Sequence, residues 1–147
     1  MTSWAELQQQ GRLIAEPTSK QELFELRHMV ARDLADAEAR NISPDARYNM
    51  AYSAARLLAT VIIRANGYRI KSGEGAHHLT FDTVAVAEPE FLDAVDYFDR
   101  CRRKRNELLY HAAGVVSSGE TEALIRQAIQ FQVTVERWLK SNRPALY

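Results

Sequence analysis

Residues 43–67 read SPDARYNMAYSAARLLATVIIRANG, and the pattern within them decides the fold class. Ser43 then Pro44 is a helix start: a side-chain acceptor for unpaired amides, followed by a ring whose fixed φ suits the first turn. Tyr48, Ala51, Tyr52, Ala55, Leu58, Ala59 and Ile62 then recur at three- and four-residue steps, as one face of a helix does, until Gly67 ends it. The alanines at 51, 54, 55 and 59 leave little bulk between backbones, so this helix is expected to lie close against a neighbour.

The same periodicity extends to both sides. Ser19 with Glu22 three residues on is a capping box, and Leu23, Leu26, Val30, Leu34 and Ala37 carry a helix to about Asn41. Residues 1–18 hold Trp4, Leu7 and Leu13 but are interrupted by Gly11 and Pro17, and read as an arm or short helix. Residues 67–79 carry three glycines and no periodicity, and read as an exposed connection before a short helix from about Thr80 to Ala87. Pro89 opens a third long helix through Phe91, Val95 and Phe98 to about His111. After a Gly114–Gly119 loop, Leu124, Ala128, Phe131, Val135 and Trp138 mark a fourth helix near Glu120 to Lys140. The expected fold is all-α, an up-and-down four-helix bundle with a short additional helix, over residues 19–141, with 142–147 as a tail.

Composition agrees. A chain of 147 residues fits one domain, and four prolines and six glycines are too few for a many-stranded protein. The single Cys101 makes no internal bridge, no basic and apolar leader opens the chain, and no apolar run approaches membrane length. A cytoplasmic protein without membrane contact is the expectation. Nineteen Lys and Arg balance nineteen Asp and Glu, so no long-range cationic field gathers nucleic acid and any such binding must rest on local charge.

That local charge is densest in the third long helix, where Arg100, Arg102, Arg103, Lys104 and Arg105 fall within six positions. Arg100, Arg103 and Lys104 read as a solvated face, with Asp96 to Arg100 and Asp99 to Arg103 as weak helical pairs. Stepping the stripe Phe91, Val95, Phe98 onward by three and four reaches 102, 105 and Leu109, so Arg102 and Arg105 occupy positions where the pattern asks for apolar side chains. A buried charge without a partner costs several kcal/mol. Each therefore meets a carboxylate, for which Asp33, Asp36 and Glu38 are candidates, or opens into a wet cleft that receives an anion.

Arg105 is followed at once by Asn106, and His111 lies six residues beyond. Arg, a polar residue and a nearby His at the carboxyl end of the third long helix of an α-bundle resemble the motif of the HEPN superfamily. Tyr97-Phe98-Asp99-Arg100, Arg103-Lys104-Arg105-Asn106 and the loop His77-His78-Leu79-Thr80-Phe81 share its flavour, and the similarity covers roughly residues 20–140. The resemblance implies a metal-independent endoribonuclease, commonly a toxin or defence effector, active as a homodimer that brings two Arg/His motifs into one cleft.

His111 suits proton transfer, its ordinary pKa being about 6.5, Arg105 suits the charge of a pentavalent phosphorane, and Asn106 would orient phosphate or imidazole. Arg102, Tyr110 and Lys104 are candidate contacts to RNA phosphate. On an unbroken helix positions 105 and 111 lie about 120° apart. The helix therefore ends or bends near Tyr110, or the site is shared across a two-fold axis. The family's common tyrosine two positions after the histidine is replaced by Ala113, which puts neutralisation by a nucleotidyltransferase-like antitoxin in doubt. An antitoxin of that or another kind remains an expected partner.

Other candidates are weaker. His77-His78 lack a third metal ligand at a recognisable spacing, and His28 reads as an ordinary polar neighbour. Cys101 sits among arginines that would depress its pKa, but no catalytic histidine accompanies it. There is no phosphate-binding glycine loop, zinc motif or reading helix, and no metal or cofactor is expected. The rival to a ribonuclease is a non-catalytic HEPN-like bundle that binds RNA, a nucleotide or a protein partner. A third reading is a plain helical interaction protein in which the Arg and His spacing is coincidence.

Overall fold

The computed structural model describes residues 2–71, 73, 75–110 and 114–147, and of residues 109 and 110 the main chain only. Among these are six α-helices and one two-stranded sheet. In chain order they are α1 (Trp4–Gln9), β1 (Leu13–Ala15), α2 (Lys20–Ala37), α3 (Pro44–Ala65), β2 (Tyr68–Ile70), α4 (Ala76–Ala87), α5 (Leu92–Tyr110) and α6 (Ser118–Asn142). Short 3₁₀ turns, Pro89–Phe91 and Pro144–Leu146, precede α5 and follow α6.

The α3 helix is the hub. Ser43 Oγ accepts from the Ala46 amide and Pro44 sits in the first turn, as the sequence requires. Ala51, Ala54, Ala55 and Ala59 are fully buried, and α3 packs on α2, α4, α5 and α6. Small side chains let backbones approach closely, so one helix can serve four neighbours. The α5 and α6 helices touch only sparingly. The space between them is spanned by aromatic rings, with Phe98 and Phe131 at 5.1 Å and Phe91 at 5.9 Å from Phe131. Bulky rings hold two axes apart where alanines would let them close.

The helix starts differ in one instructive way. Ser117 and Glu120 make a complete capping box at α6, where the sequence reads only as a loop. At α2, Ser19 Oγ accepts from the Glu22 amide, but the Glu22 carboxylate does not turn back. It accepts instead from Thr18 Oγ1 at 2.6 Å and from Arg64 Nε at 2.8 Å.

Arg64 explains why residues 2–18 and 67–71 are more ordered than their sequence implies. β1 pairs antiparallel with β2, Leu13 opposite Ile70 and Ala15 opposite Tyr68. The buried Arg64 guanidinium donates to the carbonyls of Glu16, Tyr68 and Pro17 and reaches the Glu16 carboxylate at 3.2 Å, tying both strands to α3. Three-residue strands show no periodicity, and their pairing partner is more than fifty residues away. The arm is further held by Trp4, which stacks on Tyr68 and donates to Glu88. At the carboxyl end, residues 142–147 form no loose tail: Arg143 donates to the Ala65 carbonyl and to Asn66, and Leu146 packs on the core.

Two boundaries move. α2 stops at Ala37 rather than Asn41, and α4 begins at Ala76 rather than Thr80, which places His77 and His78 in its first turn. No helix among the described residues is long and apolar enough to cross a membrane.

Candidate functional site

Three helices converge on Arg105. Asn49, Tyr52 and Arg56 stand on one stripe of α3, at steps of three and four. Arg102 and Arg105 stand one turn apart on α5, and His77 and His78 open α4. The half-buried Arg105 donates from Nε to Asn49 Oδ1 at 3.1 Å, and its Cζ lies 5.4 Å from the centre of the Tyr52 ring. An amide oxygen and a ring face orient a guanidinium without cancelling its charge. Among the described residues no carboxylate comes within ion-pair distance of Arg105.

Arg102 is different. Its Nε donates to Asp99 Oδ1 at 2.9 Å, and the same oxygen lies 3.2 Å from His78 Nδ1. Burial pushes the Asp99 carboxyl up, but hydrogen bonds from Arg102 and His78 outweigh it and hold the group below its ordinary value. Asp33, a candidate internal partner of these arginines, bonds instead to Arg32 of α2 and to Ser53 of α3. The expected Asp99 to Arg103 pair is not made, because Asp99 turns to Arg102. Asp96 to Arg100 is present at 3.4 Å between exposed side chains.

Tyr52 and His77 form the floor. The Tyr52 hydroxyl and His77 Nδ1 are 3.1 Å apart. Burial pushes the Tyr52 hydroxyl up to about 12, against the pull of Arg105, Arg56 and Arg102. Burial, then the charges of Arg56, Arg105 and Arg102, push the His77 imidazole down to about 4. At neutral pH a protonated phenol therefore faces a neutral imidazole.

The other candidates fall elsewhere. Lys104 turns toward α6, where Nζ lies 3.7 Å from Glu120 Oε2, away from Arg105. Asn106 is half-buried and follows Arg105 on α5. His111 and the Tyr110 side chain lie outside the described residues, so α5 can be followed only to the Tyr110 main chain. Cys101 is buried, and burial pushes its thiol up despite the neighbouring Tyr48 and Tyr97 hydroxyls, the reverse of an activated cysteine. Among the described residues no group of His, Cys, Asp and Glu is placed to hold a metal.

Asn49, Tyr52, Arg56 and His77 were not singled out by the sequence as parts of one site. Tyr52 reads as core, which it also is, at 1% exposed. The available signal was two polar residues, Asn49 and Arg56, flanking it on the same helical stripe. Compared with family models, curated proteins and solved structures, the chain has no match.

Proposed function

We propose that this chain is a metal-independent endoribonuclease of the HEPN type, with Arg105 as the cation of its active site and His111 as the group that moves protons. The observation that supports this reading is an oriented guanidinium, half-buried beside Asn49 and Tyr52, that no described carboxylate neutralises. Such a group stabilises negative charge that develops on a phosphate oxygen.

In the proposed reaction the ribose 2'-oxygen attacks the adjacent phosphorus as its proton passes to a base. The 2'-O–P bond forms and the P–O5' bond breaks, and the departing 5'-oxygen takes up a proton. The products are a 2',3'-cyclic phosphate and a 5'-hydroxyl. Arg105 compensates the phosphorane, Asn106 assists in orientation, and Arg102 meets a flanking phosphate once Asp99 releases it. A homodimer would bring two such motifs together, each beside its copy. A toxin neutralised by an antitoxin encoded nearby is the biological setting this reading favours.

A second reading, a bundle that binds RNA or a nucleotide without cutting it, is favoured by the zero net charge and by the neutralisation of Arg102 by Asp99. Both are tested on single-stranded RNA. We expect Arg105→Ala and His111→Ala each to reduce cleavage by roughly 10²- to 10³-fold, with the helical spectrum unchanged. Cleavage that persists at full rate in both variants defeats the enzymatic reading. Binding lost in Arg105→Ala, with no cleavage by the intact chain, establishes the second.

A further inference from the structure

Asp99, Arg102 and Arg105 form a row on α5 at steps of three, and α5 packs on both α4 and α3. Toward α4 lies a cleft of about 120 Å³ lined by Asp82, Asp96, Asp99 and His78 over Phe81 and Val95. Each of its three acids meets an arginine, Arg12, Arg100 and Arg102 in turn. Toward α3 stands Arg105, on Asn49 and Tyr52. Arg102 lies where the two regions join. Its Nε donates to Asp99 on the acidic side, while its charge acts, together with that of Arg105, on Tyr52 and His77.

The bond that holds Arg102 is unlike the other acid pair of α5. Asp96 and Arg100 meet at 3.4 Å with both side chains about two-thirds exposed, where water screens the attraction. The Arg102 and Asp99 side chains are only 20% and 17% exposed and meet at 2.9 Å, so their attraction is screened less. The bond is also shared. Asp99 Oδ1 lies 3.2 Å from His78 Nδ1, so one carboxylate oxygen serves two donors from two helices. Among the described residues the Nη groups of Arg102 make no hydrogen bond. Breaking a part-buried pair is costly chiefly because one charge is left alone. Here Asp99 would keep His78 as a donor when Arg102 departs, and would not be stranded.

We propose that Arg102 is a second phosphate-binding side chain, closed off by Asp99 while the site is empty and given up to His78 when a strand arrives. The exchange deepens the function proposed above and rests on it for the ligand, a single-stranded RNA. The scissile phosphate lies on Arg105 and a neighbouring one on Arg102. The two arginines are one turn apart, within reach of adjacent phosphates for side chains of that length.

The test measures binding of the full-length chain to a single-stranded RNA with 2'-O-methyl sugars, which can be held but not cut, and cleavage of the unmodified strand. We expect Asp99→Asn to tighten binding about fivefold, as loss of one part-buried pair allows. It should also steepen the dependence of log affinity on log salt by about 0.7, the mark of one further phosphate contact. His78→Ala should act in the opposite direction and weaken binding by about threefold, because Asp99 then has Arg102 alone. Asp96→Asn removes the same charge from α5 without releasing Arg102, and should change affinity by less than about twofold. In the Arg102→Gln background the gain from Asp99→Asn should vanish. A gain that survives there, or that Asp96→Asn equals, reports general loss of negative charge and overturns the exchange. So does His78→Ala that tightens binding as Asp99→Asn does. Cleavage that requires Arg105, with binding unaltered in Asp99→Asn, rejects the exchange and keeps the ribonuclease. Tighter binding in Asp99→Asn that depends on Arg102, with no cleavage by the intact chain, keeps the exchange and rejects the ribonuclease. Absence of binding in the intact chain and in Asp99→Asn alike removes both.

Discussion

At the carboxyl end of α3, Arg64 gives its donors to two carboxylates and three carbonyls, and its side chain is 7% exposed. Near the other end of the same helix, Asn49 and Tyr52 offer Arg105 one amide oxygen and the face of a ring. Both guanidinium groups are withdrawn from full solvent exposure, Arg64 buried and Arg105 half-buried. The first is a fastener: every partner it holds belongs to the arm, the short sheet or the start of α2. The second is oriented but not neutralised, an arrangement that contributes little to the fold and leaves charge available to a ligand.

The sharpest way to break that contrast is to remove each arginine in turn. Arg64→Ala strands three backbone carbonyls and two acids. Glu16 and Glu22 are about half exposed and regain water, so the loss is set mainly by the carbonyls, about 2 to 3 kcal/mol. Urea unfolding should show this as a lower midpoint, and proteolysis should open the chain first within the arm or residues 67–75. Arg105→Ala should cost about 1 kcal/mol, since it removes a single hydrogen bond from a half-buried guanidinium to an uncharged amide oxygen and one ring contact, and strands no carboxylate. Equal losses at the two positions would mean that Arg105 is structural.

What could be read in advance follows the same division. Periodicity locates α2, α3, α5 and α6 because each buries its own repeating stripe, and that information is local. The pairing of β1 with β2 depends on Arg64, which reads merely as the last-turn cation of a helix. Arg105 stands out because it violates the stripe of its own helix, and so it is legible from one segment. Its partners are not. Asn49 and Tyr52 lie more than fifty residues away, and nothing local in α3 reports which helix covers them. His77 is hidden for a related reason: the glycines before it imply a loop, whereas they lead directly into the first turn of α4.

The next effect is smaller and depends on pH. His77 titrates near 4 in the folded chain against an ordinary 6.5. Protons therefore bind the unfolded chain more tightly, and this group's contribution to stability is full above 6.5 and lost as the pH falls from 6.5 toward 4. The lowered carboxyls, Asp99, Glu22, Glu120 and Glu122, begin to act only near and below their ordinary values of 3.8 to 4.5. Denaturation midpoints taken across the upper window should fall less in His77→Asn than in the intact chain. Identical slopes would show that burial and the arginines around His77 do not hold its imidazole neutral.

The smallest expected effect tests where the boundary of the Arg105 region lies on α5. Lys104 precedes Arg105 by one residue and so points about 100° away around the helix. It meets Glu120, whose carboxylate is already engaged by the Ser117 amide in the capping box of α6. Both side chains are substantially exposed, at 35% and 48%, so Lys104→Ala should change stability by no more than about 0.5 kcal/mol. RNA affinity should likewise stay within about twofold, because one exposed lysine on the flank facing α6 is screened from a strand lying along Arg105 and Arg102. If Lys104→Ala instead weakens RNA binding as strongly as Arg105→Ala does, the strand must wrap around α5. The cationic surface would then be the whole basic run from 100 to 105 rather than the cleft between α3, α4 and α5.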